Sequence, residues 1–129
     1  AERLNWLPEF TERRRQIANV YQAEINNPKV RLLASPEEPS SHVFHLFVVT
    51  CEQREELQAH LEQNQVQSNI HYPVPIHRQG PCLGMKRDPK GLENADSHAA
   101  TCLSLPCHPQ MTEGDIATVI VAVNSFKGA

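Results

Sequence analysis

The apolar run at residues 43–49 most constrains what this chain can fold into. It reads Val-Phe-His-Leu-Phe-Val-Val, and it is rich in the β-branched and aromatic residues that strands favour. A strand of this kind has no polar face to turn towards water. We therefore predict that it is buried on both faces and central in a sheet. For His45, inside the run, we predict a hydrogen-bonded position in the core in preference to a role as a ligand.

Four helical patterns surround this run. The first covers residues 7–26, and the second follows Thr50 and Gln53, which have the form of a capping box. The third covers residues 92–101, and the fourth begins near Thr112. The apolar residues of the fourth recur at helical spacing, namely Ile116, Val119, Ile120 and Val123.

Three further strands complete the predicted pattern. Short strands are expected at residues 30–33 and 102–105, and apolar and polar side chains alternate over residues 66–72. Residues 80–91, rich in Gly, Pro and charge, are predicted to form a long mobile loop. The order of elements predicts an α/β (α+β) fold, a two-layer sandwich with helices and a small mixed or antiparallel sheet of three or four strands.

The segment at residues 69–79 contains the densest polar chemistry of the chain. It carries two imidazoles, a phenol, a guanidinium and two carboxamides within eleven residues. Pro73 and Pro75 fix their own φ angles and favour extended backbone at the residues before them. Such a stiff segment can present side chains to a ligand with little entropy left to lose. The alternative is an edge strand running into a Pro-rich connection with solvated histidines.

Composition excludes several classes of function. A formal net charge of −3 gives no sign of a nucleic-acid or anionic-membrane partner, and residues 13–15, three arginines, are predicted to form a solvated helix face. No apolar run approaches the ~20 residues that cross a bilayer. Four irregularly spaced cysteines in a chain of this size are expected to be free thiols in a reducing compartment, so we predict a cytoplasmic protein.

Two other chemistries are weakly indicated. Cys82 follows His77 by five residues and Cys107 precedes His108, but no signature of a cysteine enzyme is present. The candidate metal ligands are Cys102, Cys107, His98 and His108. Their spacing lacks the Cys-x-x-Cys pattern of zinc sites.

The order of motifs resembles the C-terminal part of the DegT/DnrJ/EryC1/StrS sugar aminotransferases. The most specific element is the run Ile-His-Tyr-Pro-Val-Pro-Ile-His-Arg-Gln at residues 70–79, and Leu-Ser-Leu-Pro at residues 103–106 follows in the right order. Residues 7–21, 41–49 and 107–112 extend the resemblance over nearly the whole chain.

The resemblance implies a fold of the aspartate aminotransferase type and a parent enzyme that uses pyridoxal phosphate. Such an enzyme transfers an amino group, commonly from glutamate, to a keto sugar on a nucleoside diphosphate. The chain, residues 1–129, is expected to be the small C-terminal domain alone, with a leading helix at residues 1–27 and an α/β sandwich at residues 28–129. The large cofactor-binding domain is expected to lie outside it. A homodimer is expected for the parent, with the substrate site at the domain and dimer interface.

By the same resemblance, the candidate substrate-binding residues are His71, Tyr72, His77 and Arg78. Arg78 is a candidate for bidentate contact with a diphosphate. Pyridoxal chemistry needs an activated lysine, and none of the four lysines has the sequence surroundings of a cofactor lysine. We therefore expect no catalytic residue, no bound cofactor and no transaminase activity in the isolated chain. A free-standing small-molecule-binding or regulatory α/β domain is the alternative.

Overall fold

Three antiparallel strands form the sheet in the computed structural model, which describes residues 2–86 and 88–128. They are β1 (Arg31–Leu32), β2 (Phe47–Thr50) and β3 (Cys102–Leu105), in the order β1-β2-β3. The central position predicted for the strand after residue 43 is confirmed, and so is the α/β class with a small antiparallel sheet.

Helices occupy most of the remaining regular structure. Their bounds are α1 Glu2–Asn5, α2 Leu7–Glu24, α3 Arg54–Gln63, α4 Glu93–Thr101 and α5 Glu113–Ser125. Three short 3₁₀ helices lie at Pro39–Ser41, Ile76–Arg78 and Gly80–Cys82. The predicted long loop therefore starts with a 3₁₀ turn, and its Arg87 lies outside the described residues.

The core lies between the sheet and helices α2, α3 and α5. Tyr21 of α2 is fully buried, packs edge-to-face on Phe47 with ring centroids 5.0 Å apart, and donates its hydroxyl hydrogen to the Pro106 carbonyl at 2.9 Å. The apolar positions predicted for α5 are all buried, as are Leu57 and Leu61 of α3. Burial of these faces is the main force that holds the helices to the sheet.

Helix α5 is fixed at both ends. At its start, Thr112 accepts from the Asp115 backbone N–H while the Asp115 carboxylate accepts from the Thr112 backbone N–H, which is a complete capping box. At its end, the buried Asn27 side chain donates to the carbonyls of Val123 (2.8 Å) and Phe126 (2.7 Å). The end of α5 is thus bonded to the chain that follows α2.

The strand predicted at residues 43–49 begins later than expected. Strand β2 starts at Phe47, His45 is exposed, and Phe44 has φ +46°, which is outside the strand region. The core role predicted for His45 is therefore wrong. Neighbouring strands decide this outcome, because β3 pairs with residues 47–50 only and leaves residues 43–46 without a ladder.

Two other local predictions are wrong. Residues 66–72 form no strand, and only Asn69 makes an isolated antiparallel bridge to Ser104. Thr50 does not cap α3, because it belongs to β2 and pairs with both neighbouring strands, while α3 begins after Gln53 without a side-chain cap.

The three consecutive arginines are not a simple solvated face. Arg13 bonds the Met111 carbonyl at 2.9 Å, and Arg15 bonds the carbonyls of Ser40 (2.8 Å) and His42 (3.0 Å). Their side chains are half-buried and attach α2 to distant loops. Among the described residues, no helix combines the length and the apolar character needed to cross a membrane.

Candidate functional site

Strand β3 fixes the start of the Pro-rich segment. Asn69 and Ser104 exchange two backbone hydrogen bonds, at 3.2 Å and 2.8 Å. Two residues later, Nδ1 of His71 lies 2.9 Å from the hydroxyl of the same Ser104. Ser104 is buried in the sheet, so the point at which the chain leaves the sheet is tied to the core.

Helix α4 fixes the other end of the segment. His77 and Arg78 belong to the 3₁₀ turn Ile76–Arg78, and both contact one carboxylate oxygen of Asp96, with which Arg78 forms an ion pair. The Nε2 atom of His77 lies 2.9 Å from Oδ1 of Asp96, and Nε of Arg78 lies 2.7 Å from the same oxygen. Asp96 sits in the first turn of α4, where a negative charge also favours the positive end of the helix dipole.

Between the two anchors the segment is strongly exposed. Tyr72 is 71% exposed, Val74 48% and Ile76 73%, although all three are large and apolar or aromatic. Pro75 has φ −66°, the value that its ring fixes, and ψ 151°. These three side chains and His77 line a cleft of about 710 Å³, which Leu92, just before α4, also lines.

His71 opens onto a different cavity. Its ring meets that of Tyr72 edge-to-face, with centroids 5.3 Å apart, and the peptide bond between the two residues is cis. Yet His71 lines a cavity of about 680 Å³ beside β3, together with the exposed His45 and His108. Consecutive residues of the motif therefore face two separate cavities.

The four sequence-predicted site residues are thus brought together in two pairs. His71 and Tyr72 are in ring contact at one end of the segment, and His77 and Arg78 share Asp96 at the other. Tyr72 and His77 line the same cleft, which joins the pairs. Arg78 lies at the surface with 63% of its side chain exposed, while the His77 side chain is only 14% exposed.

The charges of Asp96 and Arg78 stabilise one another. The Arg78 guanidinium is the main cause that lowers the pKa of the Asp96 carboxyl group. The same carboxylate raises the pKa of the Arg78 guanidinium. Asp96 is therefore ionised across the neutral range, and the Arg78 charge is fixed beside it.

Sequence reasoning missed Asp96 and the anchoring role of Ser104. Asp96 lies 18 residues beyond Arg78, across the long loop. The signal that could have found it is weak: an acidic residue in the first turn of a helix predicted to begin near residue 92. Ser104 stands within the Leu-Ser-Leu-Pro run, but nothing in the sequence indicates which side chain its hydroxyl would contact.

The buried cysteines do not have the properties of a catalytic nucleophile. Cys51, Cys102 and Cys107 are buried and free, and burial raises the pKa of each thiol, to about 11 for Cys107. A thiol with a raised pKa is a poor nucleophile because the thiolate is the reactive form. Cys82 alone is half-buried. Within residues 2–86 and 88–128, no group of three or more His, Cys, Asp or Glu side chains could hold a metal ion.

The described lysines do not fit a resident pyridoxal cofactor. Lys29, Lys86, Lys90 and Lys127 are all exposed, and the Nζ atom of Lys29 bonds the Gln53 side chain at 3.1 Å. A cofactor lysine has to be held in a site that excludes water. We assign no step of pyridoxal chemistry to these residues.

Comparison with known proteins gives the family context of this geometry. The model of the DegT/DnrJ/EryC1/StrS aminotransferase family matches residues 1–124. The chain belongs to this family. The resemblance seen in the sequence motifs is therefore confirmed, and the match takes in both anchors of the Pro-rich segment.

Individual family members agree in sequence and fold. A dTDP-3-amino-3,6-dideoxy-alpha-D-galactopyranose transaminase of Aneurinibacillus thermoaerophilus is 32% identical over 124 residues, which cover 96% of this chain and 33% of the relative. The structure of S. venezuelae DesV in complex with a ketimine intermediate is 34% identical, with a TM-score of 0.83 over 95% of this chain and 33% of that one. A family aminotransferase from Brucella abortus is 28% identical, with a TM-score of 0.89 over 99% and 34%. The chain spans about a third of the length of these relatives.

Proposed function

We propose that this chain is the C-terminal domain of a pyridoxal-phosphate-dependent aminotransferase that acts on nucleotide-linked keto sugars. In this proposal the domain helps to form the substrate site at a domain or dimer interface and is not active alone. The observation that carries the proposal is the family match over residues 1–124, combined with the exposed segment whose two ends are anchored. The reaction type is supported by the relative that is a transaminase and by the related structure in complex with a ketimine intermediate.

The chemistry of the segment suits a nucleotide-linked sugar. Its cleft is lined by Tyr72, Val74 and Ile76, which offer apolar and aromatic surface to the flat faces of a base or a sugar. Arg78 stands at the surface beside it, and a guanidinium binds phosphate oxygens in a bidentate manner. His77 adds a ring nitrogen at the cleft wall. Together these residues match a ligand with an apolar body and a diphosphate.

The exposed apolar residues also suit burial against the remainder of a longer protein. Tyr72 and Ile76 are each more than two-thirds exposed, and contiguous exposed apolar patches commonly mark interaction sites. In the proposed division of labour, the rest of the aminotransferase supplies the lysine and holds the cofactor. This domain closes the site and excludes water. The partners would be the amino donor, commonly glutamate, the sugar nucleotide and a second subunit; the four free thiols support a cytoplasmic setting.

Titration of the ¹⁵N-labelled chain with dTDP-glucose tests the substrate site. We expect amide shifts concentrated at residues 72–78 and 92–98, around the cleft. Arg78→Gln should weaken binding by about tenfold or more, because a charge-assisted hydrogen bond contributes about 1.5–3 kcal/mol. Arg31→Gln, which removes an exposed arginine of β1, is the matched control and should leave the affinity unchanged. Shifts centred elsewhere, or equal effects of the two variants, would refute the assignment.

A second measurement tests the division of labour. The chain is incubated with pyridoxal phosphate, treated with borohydride and analysed by peptide mass spectrometry. We expect no lysine to be modified stoichiometrically, since all four are exposed. One lysine trapped in full would show that this domain carries its own cofactor site, as would be the case for a free-standing domain.

A further inference from the structure

The carboxylate of Asp96 contacts two neighbouring side chains of the segment, His77 and Arg78. A single oxygen, Oδ1, lies 2.9 Å from Nε2 of His77 and 2.7 Å from Nε of Arg78. His77 and Arg78 are adjacent in a turn of only three residues, Ile76–Arg78. The two backbone hydrogen bonds that close this turn are Arg78 N–H to Pro75 at 2.9 Å and Gln79 N–H to Ile76 at 3.1 Å. Neither bond fixes the direction of a side chain.

The contact to Asp96 leaves different groups of each side chain available. Arg78 pairs through Nε, at the inner edge of its guanidinium, which leaves the N–H groups of its terminal nitrogens for a ligand. Its side chain is 63% exposed, so without a partner it would sample many rotamers. His77 pairs through Nε2 and keeps its ring against the cleft wall. One carboxylate thus contacts His77, which lines the cleft, and Arg78, the next residue of the chain.

We propose that Asp96 is a positioning residue of the substrate site, holding His77 and Arg78 in the arrangement that receives the diphosphate of a sugar nucleotide. This inference rests on the function proposed above and adds to it a residue that touches neither the sugar nor the phosphates. Asp96 acts through ordering. Binding then loses less side-chain entropy, which is the general advantage of preorganisation.

Ordering and simple charge predict opposite results for one substitution. Asp96 is an anion beside an anion-binding arginine, so its charge alone repels a diphosphate. If Asp96 acted through its negative charge alone, Asp96→Asn would remove that repulsion and tighten the binding of dTDP-glucose. If Asp96 orders Arg78, the same variant weakens binding by about threefold to tenfold, the cost of ordering one free arginine side chain.

The experiment measures dTDP-glucose affinity by NMR titration for the chain and for three variants. Asp96→Asn should bind more weakly, and Asp96→Glu, which keeps the carboxylate, should recover at least part of the loss. Glu93→Gln removes another acidic side chain from the first turn of α4 and is the matched control, with no loss expected. Circular dichroism and thermal unfolding of each variant establish that α4 and the fold are retained.

A second readout is independent of any ligand. In the unsubstituted chain, Nε–H of Arg78 is expected to give a resolved signal in ¹⁵N spectra, because the contact with Asp96, at 2.7 Å between Nε and Oδ1, holds the guanidinium in one place. Asp96→Asn should broaden or remove that signal, and Glu93→Gln should not. A variant that retains the signal would overturn the positioning role.

The outcomes separate this inference from the proposed function. Failure of the unsubstituted chain to bind dTDP-glucose would refute the substrate site, and the positioning role with it. Normal binding by the chain, combined with unchanged or tighter binding by Asp96→Asn, would refute the positioning role alone and leave the substrate site standing.

Discussion

The hydroxyl of Ser104 lies 2.9 Å from Nδ1 of His71, so a buried residue of β3 holds an imidazole that belongs to the exposed segment. We expect Ser104→Ala to lower the free energy of unfolding by about 1 kcal/mol, the usual net value of such a hydrogen bond. Urea denaturation measures the change. Ser97→Ala, on the exposed face of α4, is the control and should stay within about 0.5 kcal/mol of the unsubstituted chain. Equal losses for the two variants would contradict an anchoring role for Ser104.

Two adjacent asparagines should differ sharply in their contribution to stability. Asn27 is buried, donates to two carbonyls at the end of α5 and accepts from the backbone N–H of Lys29, so Asn27→Ala should cost about 2–3 kcal/mol through three lost hydrogen bonds. Asn26 is exposed and contacts Asn124 through its backbone N–H, which the substitution keeps. Asn26→Ala should therefore cost less than about 0.5 kcal/mol. Chemical denaturation of both variants in parallel decides the matter, and similar costs would disprove the capping role.

Acidification should weaken the start of α5. The backbone hydrogen bond from Thr112 is the first cause that lowers the pKa of the Asp115 carboxyl group. The unfolded chain therefore binds this proton more readily than the folded chain. The stabilisation is present above about pH 4 and is lost as the pH falls through the folded pKa. In thermal unfolding between pH 6 and pH 2, Asp115→Asn should flatten the acid decline. Glu62→Gln, which removes an exposed carboxylate of α3, is the control, and the same flattening in both variants would contradict this account.

Thiol reactivity should single out one cysteine. Cys82 is half-buried, whereas Cys51, Cys102 and Cys107 are buried and have raised pKa values. A native-state titration with a chromogenic disulfide at pH 8 should show one fast thiol, and all four should react in denaturant. Cys82→Ser should remove the fast phase. A fast phase that survives this substitution would show that another cysteine is accessible.

Helix α5 shows what local sequence can predict. Its start, its capping residues and its buried face all follow from short-range patterns, because residues within two turns of each other decide them. The short strands β1 and β3 were also recognisable, and so was the exposed, stiff segment that follows residue 69.

The failures have a common physical cause. Residues 43–46 have the composition of a strand, but a strand also needs a partner, and β3 offers only four residues to pair with β2. The pair of Arg78 with Asp96 is likewise non-local, since it depends on how the loop between them brings α4 to the turn. Sequence patterns indicate the secondary structure that each segment favours, but they do not indicate which other segment it will contact.

Because the Pro-rich segment is anchored at both ends, the side chains between the anchors can be substituted without disturbing the core. Tyr72, Val74 and Ile76 face outwards between two fixed ends, and none of them belongs to the hydrophobic core. Under the proposed function, a library randomised at these three positions alters ligand preference, while the contacts of Ser104 and Asp96 keep the two ends of the segment in place. Selectivity could then diversify here at small cost to folding, which makes the segment a natural target for directed evolution.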